Sequence, residues 1–145
     1  MDDPPRGPRI LVSDRQRLPV DLEPLLATAR DVLRDEGVGD AELSLSFVDE
    51  DEMAALHERY LGEPGPTDVL AFPLEEEPSE PARILGDVVI CPAVAERAAT
   101  ALPDELRLLL VHGILHLLGH DHQEPAERDA MWSKQEGYTG MRVQA

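Results

Sequence analysis

The sequence has one cysteine, Cys91, and one lysine, Lys134. A lone cysteine cannot close a disulfide within the chain, so nothing here calls for an oxidising compartment. Long apolar runs are missing too. The longest, such as "LLLV" at 108–111, are far too short to span a bilayer. The opening "MDDPPRGPR" has no apolar stretch behind a basic start, so a secretory signal is not expected. These absences predict a cytoplasmic protein with no membrane partner. Positive charge is also scarce. The chain has 13 basic against 30 acidic residues, a formal net charge of -17. Such a surface keeps a protein soluble and repels nucleic acid at long range. Internal repeats and low-complexity linkers are absent; "EEEPSEP" at 75–81 reads as a loop between strands.

What is present is enough for one ordinary domain. Over 145 residues, 42% are hydrophobic, which predicts a single globular unit spanning 1–145. A short strand is expected at 10–12. Leu22, Leu25, Leu26, Ala29, Val32 and Leu33 form one helical stripe over 21–36, with Asp21 as N-cap and Gly37 as stop. "AELSLSFV" at 41–48 alternates as a half-buried strand does. Asp49 and Glu52 resemble a capping box opening a helix that ends near Gly62. Strands follow at 67–72 and 84–90, with a bulge suggested at Gly86–Asp87. Helices are expected at 92–101, from Pro103 onward, and at 125–136. The order predicts an α+β fold: a small mixed β-sheet flanked by helices.

Four of the five histidines fall in "VHGILHLLGHDH", residues 111–122. His112 and His116 are four apart on an expected helix, so their rings share one face, as in the metal helix of zincin-like folds. Gly119 stops the helix three residues later, and the returning chain can deliver His122. The spacing H-x3-H-x2-G-x2-H thus points to one zinc ion held by His112, His116 and His122. Three protein ligands leave a fourth position for water, the mark of a catalytic site. His120 would point elsewhere on the turn. Metalloproteases with this spacing carry a glutamate directly after the first histidine as general base. Here that position is Gly113, which argues against ordinary peptide hydrolysis.

"HGILHLLGHDH" closely resembles the H-G-x-L-H-L-x-G-Y-D-H signature of the YbeY family of bacterial endoribonucleases and rRNA maturation factors. "PTDVLAFPL" at 66–74 and "LGDVVIC" at 85–91 resemble two further blocks of that family, in the same order. The resemblance implies a zinc site in a cleft beside a small sheet. It implies cleavage of single-stranded RNA in maturation of ribosomal RNA, especially the 3′ end of the small-subunit RNA, and in ribosome quality control. The implied partners are ribosomal RNA and the ribosome; no DNA is expected. The family's Y-R-G arginine, thought to meet substrate phosphate, has no direct counterpart. Tyr60 is followed by Leu61, and Arg59, one position earlier, is the candidate for that role. The signature's tyrosine is His120 here, and the serine of L-S-F-P is Ala71.

Asp121 could hydrogen-bond a ligand histidine, handle protons, or only shape the turn. Against the acidic surface, Arg59, Arg83, Arg97 and Arg107 are the candidates, and some of them are expected to form a local positive rim. Two other functions compete: a zinc metallopeptidase-like hydrolase with its base elsewhere, and a non-enzymatic ribosome-assembly factor in which zinc is structural.

Overall fold

The computed structural model describes residues 7–74, 83–98, 101–120 and 125–139. Nine elements follow in order: β1 (Arg9–Arg15), α1 (Leu22–Asp35), β2 (Ala41–Val48), α2 (Glu50–Leu61), β3 (Val69–Pro73), β4 (Arg83–Ile90), α3 (Pro92–Ala98), α4 (Leu102–Leu117) and α5 (Pro125–Thr139). The four strands form one sheet in the order β1-β2-β4-β3. β1 and β2 pair in parallel, as do β2 and β4, and β3 runs antiparallel to β4 at the edge. The small mixed sheet flanked by helices is the expected fold. β1 is longer than its apolar centre, because Ser13, Asp14 and Arg15 stay in register with Ser46, Phe47 and Val48. A parallel pair needs a crossover, and α1 supplies it between β1 and β2.

The two sheet faces differ. Leu43, Leu45 and Phe47 of β2 join Leu85, Val88 and Ile90 of β4 in the main core, against α1, α4 and Met131 of α5. Leu25, Ala29, Val32 and Leu33 are the buried positions of α1, the stripe read from the sequence. Burying each large aliphatic side chain here is worth roughly 1.5–3 kcal/mol. A smaller cluster of Val48, Met53, Leu70, Val89 and Cys91 lies under α2 on the opposite face. Cys91 is a buried small hydrophobe, and burial is the main cause pushing its thiol pKa up.

α4 is the central helix. Leu106, Leu109, Leu110, Val111, Gly113, Ile114, Leu115 and Leu117 are all buried, which is how a helix surrounded by other elements reads. It ends in a Schellman motif. Leu118 is the cap, Gly119 takes φ +96°, and the amides of Gly119 and His120 donate to the carbonyls of His116 and Leu115. α1 ends the same way. Gly37 has φ +80°, and the amides of Gly37 and Val38 donate to Arg34 and Leu33.

Two local readings are modified. Asp21 occupies the N-cap of α1, but its side chain makes no capping bond. The Asp49 carboxylate does accept from the Glu52 amide at 2.8 Å. The reciprocal half of the box is missing, because the Glu52 carboxylate instead accepts from Arg15 at 2.6 Å. The β2–β4 register shifts between Glu42 and Leu43, opposite Ile84 and Gly86, which puts the irregularity at Leu85, just before the suggested Gly86–Asp87. Among the described residues, no helix is long and apolar enough to cross a membrane.

Candidate functional site

On a helix buried nearly all round, His112 and His116 are half-buried and open onto one cleft. The cleft holds about 380 Å³. Its other walls are Tyr60 and Leu61 from the end of α2, Val69 to Phe72 from the edge strand β3, and Gly113. The expected pairing of the two rings on one face is therefore present. His122 and Asp121, the third ligand candidate and the catalytic candidate, lie outside the described residues. Among the described residues no three His, Cys, Asp or Glu side chains form a metal-binding group.

The two imidazoles differ in support. Gln135 of α5, only 5% exposed, places its amide oxygen Oε1 3.0 Å from Nδ1 of His112. An amide oxygen can only accept, so Nδ1 carries the hydrogen and the lone pair sits on Nε2. That is the nitrogen a cation would use, so the pair fits zinc chemistry. The His116 ring has no hydrogen bond to a described residue. Gln135 is kept in place in turn by the Thr139 hydroxyl, which donates to the Gln135 backbone carbonyl at 2.8 Å.

Gly113 is required by packing. A Cβ built there would come within 2.8 Å of the Val88 side chain on β4, closer than real contacts allow. α4 can lie against the sheet only with no side chain at this position. A glutamate after the first histidine would not fit this backbone, which is a physical reason for the residue that replaces it.

Gly86 makes the matching close approach from the strand. Its φ is +138°, and a Cβ would meet the Phe72 carbonyl oxygen at 2.2 Å. Phe72 is a wall of the cleft, so Gly86 sets how closely β3 approaches β4 there.

His120 does point away from the other two rings. Its Nε2–H donates to Glu36 Oε1 at 2.9 Å. Glu36 caps α1 and is a hub: its other oxygen accepts from Lys134 Nζ at 3.0 Å and from the Tyr138 hydroxyl at 2.9 Å. Burial alone would raise the Glu36 pKa, but the bonds from Lys134, Tyr138 and His120 bring it below its ordinary value. Burial and the Glu36 carboxylate push the Tyr138 pKa up to about 12.

The expected arginine rim does not form among the described residues. Arg97 pairs with Glu50, at the opposite end of α2 from Tyr60. Arg107 lies 3.5 Å from Asp104 and donates to the Thr139 carbonyl. The Arg83 side chain lies outside the described residues. Arg59 is not itself a wall of the cleft, but its guanidinium lies 5.4 Å from the ring centroid of Tyr60, which is. His57 plays a local part, because its Nδ1–H donates to the Gly65 carbonyl at 2.9 Å and holds the turn after α2.

Three residues escaped the sequence reading. Gln135 and Glu36 are far from the motif in sequence, and only packing brings them to it. Glu105 could have been found, because it lies seven residues before His112 on the same face of α4. Burial chiefly, and then repulsion from Asp68, raise its pKa. It sits about 10 Å along the helix from His112.

Comparisons with known proteins give the family of the chain. The family model for endoribonuclease YbeY matches residues 12–141. Endoribonuclease YbeY of Thermobifida fusca is 51% identical over 137 residues, covering 86% of this chain and 87% of that protein. The Beutenbergia cavernae protein of the same name is 50% identical over 136 residues, 86% of this chain and 90% of the relative. The solution structure of a Thermotoga maritima protein superposes with a TM-score of 0.66 at 32% identity, covering 90% of this chain and 86% of that one. The cleft that Gly113 opens beside His112 and His116 is thus carried by a chain that belongs to the endoribonuclease YbeY family.

Proposed function

We propose that this chain is a zinc-dependent, single-strand-specific endoribonuclease, acting as one domain over residues 1–145. Its substrate in this reading is ribosomal RNA, at the 3′ end of the small-subunit RNA, with a further part in ribosome quality control in the cytoplasm. The observation that carries the reading is the pair His112 and His116 in one cleft, in a chain of an endoribonuclease family.

His112, His116 and His122 would hold the zinc ion. When bound, zinc supplies Lewis-acid activation of a phosphoryl oxygen and of water. The chain's own residues do the rest. Gln135 fixes the His112 ring with Nε2 towards the cleft. Gly113 lets α4 lie directly against Val88 of β4, which sets the helix carrying the two histidines close to the sheet. Arg59, beside Tyr60, is the candidate to contact a phosphate, and Asp121 is the candidate to move protons or orient a ligand ring. The packing at Gly113 weighs against a metallopeptidase, since the usual general base has no room there.

The test is incubation of the zinc-loaded protein with single-stranded RNA and, separately, with unfolded protein. His116→Ala controls for contaminating nuclease. RNA cleavage that disappears in the control is expected. Proteolysis without RNA cleavage, or zinc binding and ribosome association with neither activity, would overturn the reading.

A further inference from the structure

Tyr60 stands where two clefts meet. One is the histidine cleft. The other, about 400 Å³, lies on the α2 face of the sheet and is lined by Arg15, Ser46 and Asp87 among others. Tyr60 and Phe72 belong to both walls. Their ring centroids are 4.9 Å apart at an interplanar angle of 52°, so Phe72 backs the Tyr60 ring. Tyr60 remains 55% exposed and Leu61 59% exposed. Aromatics are only 3% of the chain, yet two of them meet at this one edge.

One exposed ring alone is ordinary, but Tyr60 and Leu61 stand exposed side by side at the mouth of a cleft, and contiguous apolar surface of that kind marks interaction sites. The charge around Tyr60 narrows what binds there. The Arg59 guanidinium lies against the ring and, among the described residues, no carboxylate pairs with it, whereas Arg97 and Arg107 each face one. A flat apolar ring flanked by an unneutralised cation, on a molecule of net charge -17, suits a ligand with a planar face and an anionic backbone. Single-stranded RNA has both.

We propose that Tyr60, backed by Phe72, is a stacking platform for one unpaired nucleobase, next to the nucleotide whose phosphate meets His112 and His116. The proposal rests on the endoribonuclease reading and deepens it. It accounts for single-strand preference, because a base locked in a duplex cannot turn its face to the ring. Arg59 then supplies charge to the phosphate joining that base to the reacting one.

The experiment compares wild type, Tyr60→Phe and Tyr60→Leu on a single-stranded RNA and on copies carrying one abasic nucleotide at successive positions. Tyr60→Leu should raise KM roughly tenfold, the worth of one base stack, with kcat changed little. Tyr60→Phe should behave as wild type. At one position, the abasic substrate should cost wild type the same tenfold and cost Tyr60→Leu nothing further. An unchanged KM in Tyr60→Leu, or losses that add at every position, would overturn the platform while leaving the nuclease reading intact. If wild type cleaves no RNA, the nuclease reading fails separately. Equilibrium quenching of a 2-aminopurine oligonucleotide then decides the platform, with quenching by wild type and none by Tyr60→Leu expected. Equal quenching by both would reject it, leaving an apolar side chain of a protein partner as the occupant to seek.

Discussion

The amide of Gln135 holds the ring of His112, Oε1 to Nδ1 at 3.0 Å, across the seam between α5 and α4. With Oε1 facing the ring, Nδ1 carries the hydrogen, which leaves Nε2 as the nitrogen that the proposed zinc ion would use. Gln135→Leu keeps the volume and removes the acceptor. It should weaken zinc binding by roughly 10- to 100-fold, the usual effect of losing a partner behind a ligand histidine. Gln135→Glu keeps the acceptor and should bind at least as tightly as wild type. Chelator competition on folded protein reads both. Weaker binding in Gln135→Glu would mean the amide nitrogen, not its oxygen, faces the ring.

Glu36 joins three elements through His120, Lys134 and Tyr138, and its pKa is depressed. A carboxylate with a lowered folded pKa contributes stability above its unfolded value, about 4.3. That contribution is lost as pH falls through the lower folded value. Wild type should therefore lose more stability than Glu36→Gln between pH 7 and pH 3. Comparing the two proteins cancels the general relief of negative repulsion on acidification. At pH 7, Glu36→Gln should be less stable by roughly 1–3 kcal/mol. Urea unfolding at both pH values measures this, and parallel losses in the two proteins would refute it. Tyr138 works in the other direction: its raised pKa, about 12, keeps its contribution below pH 10 and loses it above.

Gly113 against Val88 gives a packing prediction. Gly113→Ala places a methyl within 2.8 Å of a Val88 methyl, so helix and strand must part. The cost should be roughly 1–3 kcal/mol by thermal or urea unfolding. Val88→Ala frees that space and should recover part of the loss when combined with Gly113→Ala, although alone it costs stability. Strict additivity of the two substitutions would exclude this contact as the cause.

Much of this could be read along the chain because it is local. The α1 stripe, the alternation of β2, the Asp49 cap and the Gly119 stop depend on residues within one or two turns of each other. What escaped depends on crossings. Gln135 reaches His112 over 23 positions, and Glu36 reaches His120 over 84. No periodicity encodes such meetings. Arg97 and Arg107 show the same limit: they neighbour the motif blocks in sequence, yet each faces a carboxylate, Glu50 and Asp104, and neither lines the cleft. The glycine after His112 was legible as a missing base but not as a packing demand, since Val88 comes from another strand.

Gly119 isolates backbone strain from packing. Its φ of +96° is one that L side chains rarely adopt, yet a Cβ there would meet no heavy atom within 4 Å. Any cost of substitution is therefore conformational. Gly119→Val should lose roughly 1–3 kcal/mol, since a β-branched residue is worst there. Gly119→Asn should lose less, because asparagine tolerates the left-handed region. The same strain should disturb the Schellman bonds from Gly119 and His120 to α4. His120 would then be displaced from Glu36, and zinc affinity should fall in Gly119→Val more than in Gly119→Asn if His122, two residues beyond His120, is a ligand. Paired melting curves and chelator titrations check the order wild type, Asn, Val. Equal stability of the two variants would show that φ at this position is free to relax, and the turn would then not be what delivers the third histidine.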